Sequence, residues 1–313
     1  MSSLLFPGQG SQVVGMGSEL YIKFERVKKI FRQADEKLNF SLSKLILEGP
    51  SDDLQLTRNT QPAILTVSYS IFEILKKEFN YDFSPFKYFA GHSLGEYSAL
   101  VCSDSLKFED ALYLLHQRGT AMQEAVPVGL GSMLAVLGAD IKLINELIKM
   151  NLDEKEVCEI ANDNSEGQVI VSGKKESVER FQIVLKEKKI KSIPLKVSAP
   201  FHCSLMKPAA EYMQDKISKI EFKKPKFEII SNVTADPITN PEIIKKLLIQ
   251  QIYSSVKWRE TIIRMSKEKV FNFIEIGPGK VLTGMVNRTI KDANCFSINS
   301  IADIKILQNE FKK

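Results

Sequence analysis

The 313-residue chain has few of the residues that bind metals or form covalent cross-links. It contains three histidines, none paired with another at helical spacing: His92, His116 and His202. Its four cysteines lie far apart and form no C-x-x-C pair: Cys102, Cys158, Cys203 and Cys295. This pattern argues against a disulfide framework, a structural zinc site and a histidine-based metal site. We therefore expect neither a metal nor a cofactor.

Long apolar runs are also missing. No stretch approaches the roughly 18 uninterrupted apolar residues of a membrane-spanning helix. The N-terminal segment "MSSLLFPGQG" has neither the basic region nor the apolar segment of a secretory signal. These absences predict a cytoplasmic protein that does not enter the membrane.

Charge of both signs is plentiful, with 43 Lys and Arg against 38 Asp and Glu, a formal net charge of +5. One interpretation is a solvated basic surface, and the other is a surface that attracts an acidic macromolecular partner. Nucleic acid is not expected, because no basic stretch is interleaved with aromatic residues.

Apolar runs of strand length alternate with longer helical patterns, which is typical of an α/β protein. The predicted strands are 3–6, 86–90, 227–232, a strand that starts at 271 and runs into a glycine turn, and 295–299. The predicted helices are 61–79, 107–124, 204–219, 241–252, 258–268, 281–290 and 301–312.

The middle of the chain has a different order. After the glycine-rich "VPVGLGS" (126–132), the pattern reads strand, helix, strand, strand, helix, strand up to about residue 197. This βαββαβ order predicts a ferredoxin-like small subdomain, 128–197, inserted into a larger subdomain formed by 1–127 and 198–313.

The segment "GHSLG" (91–95) places a serine between two glycines after a predicted strand and before a predicted helix. A G-x-S-x-G turn of this kind is so tight that side chains at the glycine positions would strike the neighbouring elements. It holds the serine hydroxyl clear of the sheet. Ser93 is therefore a candidate nucleophile, and the alternative is a serine with glycine neighbours by chance.

A serine nucleophile needs a base. His92 adjoins Ser93, but neighbouring side chains on such a turn point in different directions. His116 lies within a predicted helix, whereas His202 lies in the proline-marked loop "SAPFHCSLM", so His202 is the favoured base by elimination. A purely structural loop histidine is the alternative, and Cys203 is interpreted as a small buried residue.

Two further segments are candidates for the same site. The glycine turn "FPGQGSQVVGMG" (6–17) fits no nucleotide-binding motif, but its Gln9 amide and the Leu94 amide could together form an oxyanion hole. Arg118 is either a solvated arginine or a buried guanidinium that binds a substrate carboxylate.

Several blocks of the sequence, in order along nearly the whole chain, resemble the malonyl-CoA:acyl carrier protein transacylases of bacterial fatty acid synthesis. They are "FPGQGSQ" (6–12), "TQPAIL" (60–65), "GHSLGEYSAL" (91–100), "RGTAMQEAVP" (118–127), "NDNSEGQVIVSG" (162–173), "VSAPFHCSLMKPAA" (197–210), "QIYSSVKW" (251–258) and "EIGPGKVLTGM" (275–285). The resemblance implies an α/β-hydrolase-like large subdomain with a ferredoxin-like insert.

The resemblance also implies a ping-pong malonyl transfer from malonyl-CoA to the phosphopantetheine thiol of acyl carrier protein, which is an acidic partner. Ser93 would be the nucleophile and His202 the base, with the amides of Gln9 and Leu94 binding the oxyanion. The family's other roles fall on Arg118 as the carboxylate clamp, Gln251 as the main-chain carbonyl that orients the histidine, and Gln61 and Asn162 as residues near the substrate.

Phe201 departs from related bacterial enzymes, which often have a small residue before the histidine, and its ring favours malonyl over an α-methylated substrate. Two other functions stay open. A serine thioesterase or esterase would share Ser93 and His202 but usually adds an Asp or Glu. A scaffold without catalytic activity would need none of these residues. We also expect a monomer.

Overall fold

The computed structural model describes residues 1–153, 155–197 and 199–310. The strands are β1 Ser2–Phe6, β2 Phe86–Gly91, β3 Gly131–Leu137, β4 Cys158–Ser165, β5 Gln168–Lys174, β6 Lys191–Pro194, β7 Glu228–Ile230, β8 Pro237–Ile238, β9 Asn272–Ile276 and β10 Asn294–Ile298. The helices are α1 Ser18–Lys23, α2 Glu25–Leu38, α3 Leu42–Glu48, α4 Ser51–Gln55, α5 Thr57–Lys77, α6 Gly95–Cys102, α7 Phe108–Glu124, α8 Ile141–Asn151, α9 Lys175–Glu187, α10 Lys207–Ser218, α11 Pro241–Gln251, α12 Trp258–Lys267, α13 Val281–Thr289 and α14 Ile301–Glu310.

The larger sheet has six strands in the order β10-β9-β1-β2-β7-β8. Its strands pair in parallel except for the short β8, which runs antiparallel to β7. Every residue of β1 is buried. Parallel strands covered by helices on both faces have this continuous apolar character, which explains "SSLLF" without alternation.

The helices α5 and α7 build the apolar core beside this sheet. Most of α5 is buried, including its residues from Thr60 to Ser68, and α7 packs against it. The short helix α6 follows β2 directly and is buried along its whole length. These helices fix the position of the turn between β2 and α6.

The smaller sheet is antiparallel, in the order β4-β5-β3-β6, with α8 and α9 packed on it. Its edge strand β4 meets the segment between α11 and α12. There the N–H of Val256 donates to the carbonyl of Ala161 at 2.8 Å, and the N–H of Asp163 donates to the Val256 carbonyl at 3.0 Å. The chain is thus a mixed α/β protein with one largely parallel and one antiparallel sheet.

The predicted alternation of strands and helices is confirmed for most of the chain, including the βαββαβ order of the middle segment. No element was predicted within 18–55, where the structure has the 14-residue helix α2 and the three short helices α1, α3 and α4. The predicted helix at 61–79 begins earlier, at Thr57, with Pro62 inside it. The predicted strand at 191–197 ends at Pro194. Residues 311 and 312 of the last predicted helix, and residue 198 at a predicted subdomain boundary, lie outside the described residues.

Among the described residues, no helix combines the length and apolarity that crossing a membrane requires. The four cysteine thiols are free, and Cys203 is fully buried.

Candidate active site

Three neighbouring parallel strands deliver polar residues to one edge of the larger sheet. Gln9 follows β1, Ser93 follows β2 and Asn232 follows β7. Because β1, β2 and β7 are adjacent and parallel, their carboxyl ends meet at this edge. Ligands of open α/β sheets bind outside the carboxyl ends of the strands. The topology therefore places the candidate nucleophile where such sheets bind ligands.

Ser93 lies on a strained turn between β2 and α6. Its φ is 52°, in the left-handed region that residues with a side chain seldom adopt. A Cβ on Gly95 would lie 2.2 Å from the carbonyl oxygen of Phe6, and one on Gly91 would lie 1.9 Å from the carbonyl carbon of Gly95. Both glycines are therefore required by close backbone contacts, as the sequence predicted.

Asn232, which the sequence analysis missed, fixes this turn from the neighbouring strand. Its Oδ1 accepts from the Ser93 N–H at 2.6 Å, and its Nδ2 donates to the Gly91 carbonyl at 2.7 Å. The Asn232 N–H in turn donates to Glu96 Oε2 at 3.1 Å. The available signal was its place at the carboxyl end of the predicted strand 227–232, beside the serine turn.

His202 contacts Ser93 directly. Its Nε2 lies 2.9 Å from Ser93 Oγ, and its Nδ1 lies 2.9 Å from the main-chain oxygen of Gln251. A carbonyl oxygen can only accept, so the Nδ1 atom carries the hydrogen and Nε2 keeps its lone pair. The Ser93 hydroxyl therefore donates to Nε2.

The surroundings of His202 keep its imidazole neutral. The side chain is buried, and this burial, together with the positive charge of Arg118, lowers its pKa to about 3. Loss of solvation and a nearby positive charge both disfavour imidazolium. His202 is therefore unprotonated at neutral pH and able to take a proton.

The loop that carries His202 is held by the smaller sheet. His202 has a φ of 58°, and a short 3-10 helix, Ser204–Met206, follows it. The N–H of Ser204 donates to Glu159 of β4 at 3.0 Å, and the Ser204 hydroxyl contacts the same carboxylate. The loop of the base is thus held by β4, while the imidazole ring itself is held by the Gln251 carbonyl at the end of α11.

Arg118 of α7 is a buried guanidinium beside the serine, with 1% of its surface exposed. Its Nη2 donates to Ser93 Oγ at 3.0 Å and to Gln251 Oε1 at 2.8 Å. Its Nη1 donates to Gln61 Oε1 at 2.8 Å. Its Nε is buried and has no hydrogen-bond partner among the described residues. The sequence left open whether Arg118 is solvated or buried, and in the structure it is buried.

Gln251, at the end of α11, contacts the site through more than its carbonyl. Besides accepting from Arg118, its side chain donates from Nε2 to Glu96 Oε2 at 2.7 Å and to the Ser93 carbonyl at 3.1 Å. From sequence, only the main chain of Gln251 was predicted at the site, and Glu96 was not predicted there. Glu96 follows Ser93 by three residues in "GHSLGEYSAL". Its place in the first turn of the helix after the serine was the signal that could have assigned it to the site.

A cavity of about 470 Å³ opens above these residues between the two sheets. The predicted site residues that line it are Gln9, Gln61, Ser93, Leu94, Arg118, Asn162 and His202. Gln251 lies beneath them, fully buried. The structure thus brings all eight predicted residues to one place.

The cavity wall also contains polar groups that have no hydrogen-bond partner within the described part of the chain. Among the described residues, the backbone N–H groups of Gln9 and Leu94 donate to no other protein atom. The Oδ1 of Asn162 is buried and has no partner in the described chain. Leu94 lies at the amino end of α6, where negative charge is favoured.

The other two histidines do not contact the serine hydroxyl. His92 Nε2 pairs with Asn164 Oδ1 at 2.9 Å, and burial lowers the pKa of His92 to about 4. His116 is half-buried against Phe40, with a ring-centroid distance of 5.8 Å. No group of three His, Cys, Asp or Glu side chains in the described parts of the chain could hold a metal ion.

The site combines a serine hydroxyl paired with a neutral imidazole, free N–H groups and a buried cation. Such a site can support nucleophilic attack on the carbonyl group of a substrate that carries a negative charge. Residues 4–309 match the family model described as the acyl transferase domain. The chain is 42% identical to a malonyl CoA-acyl carrier protein transacylase of Bacillus subtilis over 99% of this chain and 97% of that protein. It is 41% identical to the protein of that name from Haemophilus influenzae, over 98% and 97% of the two chains.

Solved structures agree. The crystal structure of an acyl-carrier-protein-S-malonyltransferase from Bartonella henselae matches with a TM-score of 0.96, 40% identity and full coverage of both chains. A malonyl-transacylase in complex with its type II PKS acyl-carrier protein matches with a TM-score of 0.94 and 38% identity, over 98% and 99% of the two chains. The chain belongs to the acyl transferase family and, within it, to the malonyl CoA-acyl carrier protein transacylases.

Proposed function

We propose that this protein transfers the malonyl group from malonyl-CoA to the phosphopantetheine thiol of acyl carrier protein through a malonyl-serine intermediate, and so supplies fatty acid elongation. The observation that carries the proposal is the hydrogen bond between Ser93 Oγ and His202 Nε2, made next to the buried guanidinium of Arg118. The contact between Ser93 and His202 supplies the nucleophile and its base. The guanidinium of Arg118 can bind the carboxylate of a malonyl group.

In the first half-reaction Ser93 Oγ attacks the thioester carbonyl while its proton moves to His202 Nε2. The amides of Gln9 and Leu94 bind the oxyanion of the tetrahedral intermediate. When the intermediate collapses, the carbon–sulfur bond breaks and His202 returns the proton to the sulfur of coenzyme A. The Gln251 carbonyl holds the Nδ1 hydrogen throughout, which keeps Nε2 directed at the serine.

The second half-reaction reverses these roles. The phosphopantetheine thiol gives its proton to His202 and attacks the malonyl ester. The bond between the acyl carbon and Ser93 Oγ breaks, and His202 returns the proton to the serine. The same base and the same oxyanion amides therefore serve both acyl acceptors.

Arg118 binds the malonyl carboxylate in this proposal. In the free protein one of its Nη2 hydrogens faces the Ser93 hydroxyl. Once the serine oxygen is esterified it becomes a weaker acceptor, and that hydrogen and the unpartnered Nε–H are available to the carboxylate. Gln61 supports the guanidinium, and the free Oδ1 of Asn162 contributes to the same wall.

A serine hydrolase is the rival function. Such enzymes usually place an Asp or Glu on the second nitrogen of the catalytic histidine. Here His202 Nδ1 faces the main-chain carbonyl of Gln251. Together with the relatives' names, this contact favours the transferase.

The remaining predictions belong with this proposal. We propose that 1–127 and 198–313 form an α/β-hydrolase-like subdomain and that 128–197 form a ferredoxin-like insert. The antiparallel strand order β4-β5-β3-β6 supports the ferredoxin-like description of the insert. We also propose acyl carrier protein as a transient partner, a monomeric state and a cytoplasmic location. Absence of a nucleic-acid partner stays a prediction from sequence.

The test is mass spectrometry of the purified chain after exposure to malonyl-CoA, followed by addition of holo-acyl carrier protein. We expect one malonyl adduct on Ser93 and its transfer to the carrier thiol, with no adduct in Ser93→Ala. Arg118→Ala should reduce malonyl acylation by about a hundredfold, the worth of a bidentate charged hydrogen bond, and improve relative use of acetyl-CoA. Rapid hydrolysis of the adduct without carrier acylation would favour the hydrolase, and no adduct would favour a scaffold.

A further inference from the structure

Glu96 is a buried carboxylate that the proposed mechanism does not use. It lies in the first turn of α6 with 1% of its surface exposed. Its Oε2 accepts from the Asn232 N–H at 3.1 Å and from Gln251 Nε2 at 2.7 Å, while Oε1 has no partner among the described residues. Burying a carboxylate is costly, so its presence here calls for a role.

The contacts of Gln251 show what Glu96 can control. The Gln251 amide lies between Glu96 on one side and Arg118 on the other. An arginine only donates and an ionised carboxylate only accepts, so the amide has one orientation that satisfies both: Nε2 toward Glu96 and Oε1 toward Arg118. If Gln251 were flipped, its NH₂ group would face the guanidinium, and two donors would oppose each other.

We propose that Glu96 is a positioning residue that acts through Gln251: it fixes the amide orientation that holds the Arg118 guanidinium in place to receive the substrate carboxylate. The inference rests on the proposed malonyl transfer. Glu96 is three residues from Ser93 in sequence, and its hydrogen-bonded link to Arg118 runs through Gln251.

A glutamine at position 96 would not do the same work. Its amide can accept or donate, so position 96 would no longer require a donor from Gln251. The preference for Oε1 toward Arg118 would then rest on the longer contact of Nε2 with the Ser93 carbonyl, at 3.1 Å. It would also remove the negative charge that faces Arg118 through the bridging amide. Side-chain volume would stay nearly constant, so packing around α6 would change little.

The test compares the full-length protein with Glu96→Gln, and with Glu73→Gln as the matched control. Glu73 is also mostly buried and lies on α5, where it pairs with Arg26 away from the cavity. Two rates of Ser93 acylation are measured by mass spectrometry in single turnovers at about pH 8.5, above the pKa of about 7 to which burial raises Glu96, so that the wild-type carboxylate is ionised. One uses malonyl-CoA, and the other uses p-nitrophenyl acetate, a neutral ester that needs no carboxylate contact.

We expect Glu96→Gln to lower the malonyl rate by about tenfold, as for loss of a charge-assisted contact, and the neutral-ester rate by less than about threefold. Glu73→Gln should leave the ratio of the two rates unchanged. An equal loss of both rates, or an unchanged ratio, in Glu96→Gln would overturn the proposal, since a merely structural role would affect both substrates alike.

A double-mutant cycle tests whether Glu96 acts through Gln251. In a Gln251→Ala background, which retains the main-chain carbonyl, Glu96→Gln should change the rate ratio no further. Additive effects would contradict the proposed path. If Glu96→Gln does not fold, as judged by circular dichroism, Glu96→Asp carries the test, because its shorter side chain loses the contact with Gln251; an unchanged ratio there is the opposing result. A wild-type protein that forms no malonyl adduct would refute the proposed function instead.

Discussion

At the scale of single residues, the site depends on keeping its histidine neutral. His202 faces the guanidinium of Arg118 within a buried pocket, and His92 adds to the same effect from the turn. The pKa of His202 is thereby lowered to about 3, well below the ordinary value of 6.5. Such a base is active above its own pKa in the folded protein and loses activity only as the pH falls through that value.

This lowered pKa predicts the pH dependence of acylation. With p-nitrophenyl acetate, which does not titrate, the rate of Ser93 acylation should change by less than about twofold from pH 7.5 to pH 5.5. The measurement is the initial burst of nitrophenol across this range, corrected for spontaneous hydrolysis. In Arg118→Gln, where a positive charge is removed, the acid limb should move to higher pH. A wild-type acid limb centred near pH 6.5 would contradict the prediction.

The same shift affects stability with a definite sign. In the unfolded chain both histidines have a pKa near the ordinary value of 6.5. In the folded protein the pKa is about 3 for His202 and about 4 for His92. The unfolded state therefore binds more protons in this window, and these two residues make the free energy of unfolding fall as the pH drops below 6.5. Glu96, whose pKa is raised to about 7 by burial, acts in the opposite direction between pH 7 and its ordinary value of 4.5.

At the scale of elements, the decisive feature is how closely the turn of Ser93 approaches β1. Gly95, at the start of α6, lies against the end of that strand, with no room for a Cβ beside the carbonyls of Phe6 and Pro7. The contact sets where α6 begins and therefore where the Leu94 amide points. Backbone atoms cannot move aside as a flexible side chain can.

Gly95→Ala should therefore lower the free energy of unfolding by about 2 kcal/mol or more, the usual cost of overpacking, and reduce Ser93 acylation by more than about tenfold. Urea denaturation and the malonyl adduct measure the two effects. The matched control is Gly284→Ala in α13, where a Cβ would find only the far end of Arg288 at 3.8 Å. That variant should be neutral or stabilising by up to about 1 kcal/mol. Equal stability of both variants would refute this account of the turn.

At the scale of the whole molecule, the cavity exists because β4 of the smaller sheet is fastened to the larger part of the chain. Besides the backbone contacts with Val256, Arg259 of α12 binds both carboxylate oxygens of Asp163, with Nε at 2.9 and 3.0 Å. Asp163 is buried and Arg259 is partly exposed. This ion pair lies next to Asn162, which lines the cavity.

Arg259→Ala should lower the free energy of unfolding by about 2 kcal/mol or more, because it leaves the buried Asp163 carboxylate without its counter-charge. Thermal or urea unfolding measures the change. Arg264→Ala on the same helix is the control: its partners Asp236 and Glu268 are more exposed, so the cost should stay below about 1 kcal/mol. Adding Asp163→Asn to Arg259→Ala should recover part of the loss; a further loss would show that the charge is not the cause.

The sequence determined the features that depend on local geometry. The glycines at 91 and 95 mark a turn that only glycine fits, and the alternation of apolar runs gives the order of strands and helices. The loop setting of His202 marked it as a base by elimination, and the motif blocks assigned Gln9, Leu94, Arg118 and Gln251. The helices α1, α3 and α4 were not predicted because they have only 6, 7 and 5 residues. The 14-residue α2 buries Val27, Ile30, Phe31 and Ala34 at helical spacing, so its periodicity could have been predicted from the sequence.

Only the tertiary structure decided which groups meet across long separations. The amide of Asn232 on the serine turn and the bridge from Glu96 through Gln251 to Arg118 both join residues far apart in sequence. The lowered pKa of His202 likewise follows from burial and from Arg118 and has no counterpart in its sequence neighbours. Spacing along a chain specifies turns and faces, whereas charge environment and hydrogen-bond partners depend on distances that exist only after the sheets have packed.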